Sequence, residues 1–285
     1  MKKCWHASAV AVFLSVNVAV AQEYVPTLTD IKHFAATKTM MVKENNPLSE
    51  YNFLLEEIIP REWNITPYDF LTWKNFESKK SDESLSFLLM NQVFFVKDKS
   101  NTPYLFMSLV LGGKAGVLSD MPDMCSVPLA YWGAKEETYL YKLEIFLRFI
   151  QQHVRLITEH PEIASKNIFE YYNKNVLQLS GKTLYITVDE LSKDVNTEAK
   201  IKKVYDGSFK IVTREEISKA IADRDPNVVF LHKVGPGKGQ KNARCFKILV
   251  GVADAQFYYF DYHKTDDKTP DAFLASDFKK LSRKN

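Results

Sequence analysis

Four cations crowd one glycine-rich stretch. Lys233, Lys238, Lys241 and Arg244 surround Gly235, Gly237 and Gly239. Flexible glycines can present backbone amides to an anion, and the four side chains add charge, so an anion site is one expectation here. No Ser or Thr follows a glycine-lysine pair ahead of a helix, so this is not a nucleotide-binding Walker loop. A solvated loop joining antiparallel strands accounts for the same residues. Gly112-Gly113-Lys114-Ala115-Gly116 lacks the same features and reads as a turn.

Two other groupings carry chemistry. Met121, Met124 and Cys125 place three soft ligands in five residues, a set suited to cuprous ion; no histidine stands nearby in sequence, and methionine also fills irregular core gaps. His232 falls in an apolar strand, and His263 closes another near Asp254 and Asp261. A His–carboxylate pair there would be an acid–base couple, and a packed or solvated histidine is the plainer reading. His153 and His160 are seven apart, but Pro161 disrupts the helix end at His160. No HExxH, paired-cysteine or G-x-S-x-G motif occurs. No catalytic set, cofactor or metal is therefore expected. The run Phe257-Tyr258-Tyr259-Phe260 is expected to alternate faces, with Phe257 and Tyr259 opposite Tyr258 and Phe260. One pair would enter the core, and the other be covered or form a stacking platform.

The elements that would position these groups begin after a leader. Lys2 and Lys3 precede an apolar run from Ala7 to Val20 that ends in Ala19-Val20-Ala21, the pattern of a secretory signal peptide over residues 1–21. The run is too short to span a bilayer. Export to the periplasm or beyond is expected, as a chain without a transmembrane span. Removing Lys2 and Lys3 from the 38 basic residues leaves 36 against 35 acidic ones, a balance that gives no steering toward nucleic acid. Cys125 and Cys245 would then meet an oxidising compartment, where a disulfide between them is open.

The chain also repeats itself. KTMMV (38–42) matches KTLYITV (182–188), Trp63-Asn64-Ile65 matches Phe209-Lys210-Ile211, SFLLM (86–90) matches VFLHK (229–233), and LFMSLV (105–110) matches CFKILV (245–250). Thr213 with Glu216 has the spacing of a helix capping box, and Thr66 with Asp69 looks like the same device, with Pro67 at the first helical position. The fold class expected is α/β: two homologous β-α-β-α-β-β modules with mixed sheets and helices on one face, the first ending early near Gly112-Gly113. The divisions are a first module over 22–133, a helical hairpin over 134–179 and a second module over 180–285. Thr269-Pro270-Asp271 is expected to cap a last helix. In the hairpin, Leu140, Leu143, Leu147, Ile150, Val154 and Ile157 step by three and four along one long helix ended by Pro161. A second helix follows over Ile163 to Leu179. The seam serves either to hold the modules together or as an interface for a homodimer or another partner.

In the second copy, IKKVYDGSFKIVTREEISKAI leads to VVFLHKVG and then CFKILVGVADAQFYYFDYH. This resembles the small α/β module of TolB N-terminal domains and of related envelope accessory proteins, including curli-assembly and penicillin-binding-protein activator types. The resemblance spans roughly 180–263 and, weakly, 36–111. It implies a bacterial envelope setting and a module with no catalytic residues to carry over. The expected function is thus an exported envelope binding or assembly-accessory protein without catalytic activity, its partner an envelope protein or glycan. The alternative is a periplasmic hydrolase or glycan-active enzyme with its site between the modules.

Overall fold

The computed structural model describes residues 19–20 and 25–282, apart from 96–97, 99, 114–116, 165–167 and 238. The expected leader lies outside the described residues except for Ala19–Val20 (β1), which pairs in parallel with Val93 and Phe94. Gly112 and Gly113 are described, but the rest of that glycine-rich turn is not. Among the described residues, no helix is long and apolar enough to cross a membrane.

The protein is α/β, built on two mixed sheets that each follow a five-strand path, with the short β1 added beside β4 in the first. The first holds β2 (Lys38–Lys43), β3 (Tyr68–Thr72), β4 (Leu85–Phe94), β5 (Pro103–Leu111) and β6 (Asp123–Tyr131) in the order β3-β2-β4-β5-β6. The second holds β7 (Thr183–Ile186), β8 (Ser208–Ile211), β9 (Val228–Val234), β10 (Arg244–Gly251) and β11 (Phe257–Lys264) in the order β8-β7-β9-β10-β11. The first three strands of each sheet run parallel and the last two antiparallel. The first sheet does not end at Gly112-Gly113 as expected, since β6 continues it. The apolar run from Met124 to Ala130, broken only by Ser126, supplies that strand.

Helices cover both faces of each sheet, not one. On the first, α2 (Glu50–Glu62) buries Leu55 and Ile59 against Met41, Leu88 and Leu109, while α3 (Trp73–Lys79) sets Phe76 against Met40, Val42, Phe87 and Leu89 on the other side. On the second, α6 (Glu198–Ile201) and α8 (Ala275–Leu281) cover Leu184, Ile186, Val229 and Leu231, and α7 (Arg214–Asp223) lies with Val228 and Phe230. Central strands buried on both faces read as continuous apolar runs, which is why one face could not be told from the other in sequence.

Ladder positions can be compared through these faces. Leu88 and Leu231 both face the first crossover helix of their sheet, as do Leu109 and Leu249. Those are the pairings of SFLLM with VFLHK and of LFMSLV with CFKILV. Strand pairing then carries Met41 to Ile186 and Phe70 to Ile211. The match of KTMMV to KTLYITV is therefore one residue out, a slip that reverses every side chain. Trp63–Ile65 is no strand at all: it precedes β3, and Thr66 sits in a turn. Thr66 shares a hydrogen bond with Thr39 and accepts one from Trp63 Nε1, while Asp69 pairs with Lys38 at 2.8 Å. No capping box forms there. The box at Thr213 and Glu216 is present, opening α7.

Between the sheets, α4 (Leu143–Glu159) follows a 3-10 turn over Leu140–Lys142 and ends before Pro161. All six residues of its expected seam are buried inside the chain, Leu147, Ile150 and Ile157 completely. The seam is thus consumed within the protein rather than left for a second copy. The second helix of the expected hairpin is broken into α5 (Ile168–Asn173) and a 3-10 segment over Lys174–Leu179. These lie along β11, where Asn173 donates to Phe260 O and accepts from its amide. The last helix starts at Ala275, later than expected; Thr269 instead closes a turn on Asp266.

Several contacts lock the two sheets together. Tyr104 donates to Arg244 O at 2.7 Å, His232 Nε2 lies 2.8 Å from Pro128 O, and Arg148 of α4 donates to the carbonyls of Val252 and Ala253.

Candidate functional site

A cleft of about 270 Å³ opens where the two sheets meet. Its roof is the α3-side face of the first sheet beyond α3 itself: Asn91 and Val93 of β4, Phe106 and Ser108 of β5, Ser126 and Pro128 of β6. Phe246 of β10 and Phe257, Phe260 and Tyr262 of β11 form the floor. Phe149 and His153 of α4, with Phe169 and Tyr172 of α5, close one side. An apolar cavity of ~150 Å³ already takes up benzene, so this one has room for a ring and a short chain.

The aromatic floor depends on a bulge. The β10–β11 ladder shifts between Leu249–Tyr259 and Val250–Phe257, leaving Tyr258 as the extra residue. A bulge of this kind breaks strict alternation. Phe257 and Phe260 therefore fall on the cleft side together, while Tyr258 and Tyr259 join the opposite core. The expected pairing of Phe257 with Tyr259 is corrected accordingly. Phe257 stacks on Phe149 at 3.6 Å between ring centroids, and Phe260 on Phe169 at 3.9 Å. All four residues of the run are buried; the tyrosine hydroxyls donate to Asp254 and Asp261.

One corner of the cleft is polar. Ser126 is exposed, lies 2.7 Å from Ser108 Oγ, and donates to Asp123 Oδ2 at 2.7 Å. Asp123 Oδ1 is buried without a hydrogen-bond partner, as is Asn91 Oδ1 further along the roof. Burial lifts the Asp123 carboxyl to about 6, against the opposing effect of the Ser126 hydroxyl and the Cys125 amide. His153 Nδ1 is 2.8 Å from Tyr172 Oη, and burial lowers its imidazole to about 4, so the ring is neutral at physiological pH. Burial also pushes the Cys125 thiol up, helped by Asp123, which leaves it unreactive.

The residues singled out in the sequence are spread apart. Lys233 pairs with Asp271 at 2.5 Å, Lys241 with Asp267 at 2.7 Å and Arg244 with Asp98 at 2.6 Å. Gly237 N donates to the same Asp271, so the amide the loop offers meets a carboxylate. Lys238 lies outside the described residues. Of the three described cations, Arg244 alone lines the cleft, its guanidinium over the Phe95 and Tyr262 rings. His232 is buried beside Lys142 Nζ at 3.3 Å, and His263 Nε2 rests on Pro270 O. Neither histidine is paired with a carboxylate. Met121, Met124 and Cys125 line the cleft, and among the described residues no group of three or more His, Cys, Asp or Glu side chains could hold a metal ion. Cys125 and Cys245 are both buried and free; Cys245 lies 3.8 Å from Ala272 O.

Asn91, Ser108, Asp123 and Ser126 were missed by the sequence reading. Their one signal is a polar residue inside an apolar strand, as in Met107-Ser108-Leu109. No protein family, curated protein or solved structure gives a match to this chain.

Proposed function

We propose that this is an exported binding protein of the bacterial envelope that holds an apolar or amphipathic small molecule between its two sheets, without catalysis. The carrying observation is the aromatic-walled cleft of about 270 Å³ at the junction of the sheets. Ligand sites are typically concave, mostly apolar, and set with a few polar groups. Three of the titratable groups on its wall argue for holding rather than transforming. The thiol is raised, the imidazole is lowered and tied to Tyr172, and the cation is neutralised by Asp98.

Export rests on Lys2, Lys3 and the apolar run from Ala7 to Val20. The envelope setting, an assembly-accessory role, and an envelope protein or glycan as partner rest on the resemblance of residues 180–263 to TolB-like modules. We also read the two sheets as copies of one ancestral unit, because they share strand order and direction through all five strands. N-phenyl-naphthylamine, a neutral probe that fluoresces in apolar surroundings, tests the cleft. We expect saturable enhancement with the full chain, abolished by Ser126→Trp, which fills the roof. No saturable binding, or binding untouched by that substitution, would overturn the reading.

A further inference from the structure

We infer that the ligand of this cleft carries a hydrogen-bond donor, a hydroxyl or an amine, which it sets against Asp123 in the polar corner formed with Ser108 and Ser126. The inference rests on the cleft being a binding site and names the class of molecule it selects.

The argument is one of unmatched groups. A buried polar atom without a partner costs roughly 1–3 kcal/mol, so such atoms mark places where a partner is expected. The two orphaned atoms on the roof, Asp123 Oδ1 and Asn91 Oδ1, are both acceptors. Ser108 is buried, and its hydroxyl is already engaged with Ser126, whose own proton goes to Asp123 Oδ2. The Cys125 amide also acts on this carboxyl, yet Oδ1 has no hydrogen-bond partner, so what the corner lacks is one further donor.

Among the described residues, the cleft has no free cation to welcome an anionic head. Arg244 is the cation on its wall among the described residues. Its Nε lies 2.6 Å from Asp98 Oδ2, and its guanidinium is sandwiched by Phe95 at 3.8 Å and Tyr262 at 4.9 Å to the ring centroids. A carboxylate or phosphate placed in the corner would meet the Asp123 carboxylate with no compensating charge. Like charges brought close in a partly desolvated site repel strongly. An alcohol or amine would satisfy Oδ1, while its hydrocarbon or aromatic body lies over Phe257 and Phe260.

Calorimetry with three probes of one skeleton tests this: phenylpropanol, phenylpropylamine and phenylpropanoate, titrated into the full chain at neutral pH. We expect the alcohol and the amine to bind at least about tenfold more tightly than the acid, a difference of ~1.4 kcal/mol. In Asp123→Asn the ratio should fall to within about twofold. Ser126→Ala keeps the carboxylate but strips Oδ2 of its donor, so the ratio should stay at about tenfold or more; it serves if Asp123→Asn fails to fold, and a ratio within about twofold in this variant overturns the assignment. Equal binding of all three probes to the unaltered protein, or a preference for the acid, overturns the donor assignment while leaving the cleft a binding site. A preference that survives Asp123→Asn also overturns it. If none of the three binds, the cleft reading itself falls.

Discussion

Met107 of β5 and Lys247 of β10 stand at the same rung of two sheets with the same strand order, and both are buried, yet one is a hydrocarbon and the other a cation. The difference lies in what covers them. Met107 faces the apolar core shared with α2 and α4. Lys247 meets α8, which brings Asp277 to 2.7 Å, with both side chains almost wholly enclosed. One topology thus tolerates either solution, and the covering helix decides which.

Breaking the second solution gives the largest effect we expect. Asp277→Ala strands the Lys247 ammonium in the core and should cost ~3–5 kcal/mol in urea denaturation. The double change Lys247→Met with Asp277→Leu copies the first sheet and removes both charges together. Buried pairs replaced by packed hydrophobes are often neutral. Asp277 also accepts the Leu274 amide, so a residual loss of ~1 kcal/mol is expected. A double variant no more stable than Asp277→Ala would show that the two positions are not comparable.

The faces that meet at the cleft differ in the same way. Ser108 occupies the rung that Ile248 fills in the second sheet, and the serine ends at the polar corner while the isoleucine is core. That corner sets up opposed titrations. Asp123, raised to about 6, holds a proton in the folded state that the unfolded chain has lost above its ordinary carboxylate range; acidification toward pH 4 therefore favours folding through this group. His153, lowered to about 4, stays neutral while the unfolded chain takes up a proton below pH ~6.5, so acidification through the same window disfavours folding. The two offset one another. Asp123→Asn should unmask the histidine, and stability should then fall on acidification from about 6.5 to 4 at up to ~1.4 kcal/mol per pH unit more steeply than in the unaltered protein. His153→Gln should change the slope in the opposite sense. Parallel curves for all three proteins would show that neither group is buried as described.

Much of the architecture was legible because strand periodicity and apolar runs are local properties. The helix α4 and its end at Pro161, and the Thr213 cap, follow from residues within one or two turns of each other. Register was less accessible. KTMMV and KTLYITV share a lysine and a threonine, and those letters align one residue away from the pairing that hydrogen bonds impose. Ladder partners are distant in sequence, so chemistry at the strand ends cannot fix them. The cleft was illegible for a related reason. It needs the Tyr258 bulge to turn Phe257 and Phe260 the same way, and it needs β6, α4 and α5 to converge from three parts of the chain. The cationic loop drew attention because its charges are close in sequence, while their carboxylate partners, Asp98, Asp267 and Asp271, are not.

The second crossover helices offer the smallest contrast and the cleanest. At α7 the Thr213 hydroxyl accepts from the Glu216 amide, and the Glu216 carboxylate accepts from the Thr213 amide, so two otherwise unpaired donors are satisfied. At α3 the N-cap is also a threonine, Thr72, but it makes no side-chain cap bond; the Lys74 amide is met instead by Asn45 Oδ1 from a neighbouring loop. Thr213→Ala should therefore cost ~1 kcal/mol, within the range measured for lost caps. Thr72→Ala should cost no more than a few tenths, since nothing at the helix start depends on that hydroxyl, whereas Asn45→Ala should carry the larger penalty although it lies far from the helix in sequence. Thermal unfolding of the three variants decides it: if Thr72→Ala loses as much as Thr213→Ala, the first sheet caps its helix with its own threonine after all, and the two units are more alike than the hydrogen bonds indicate.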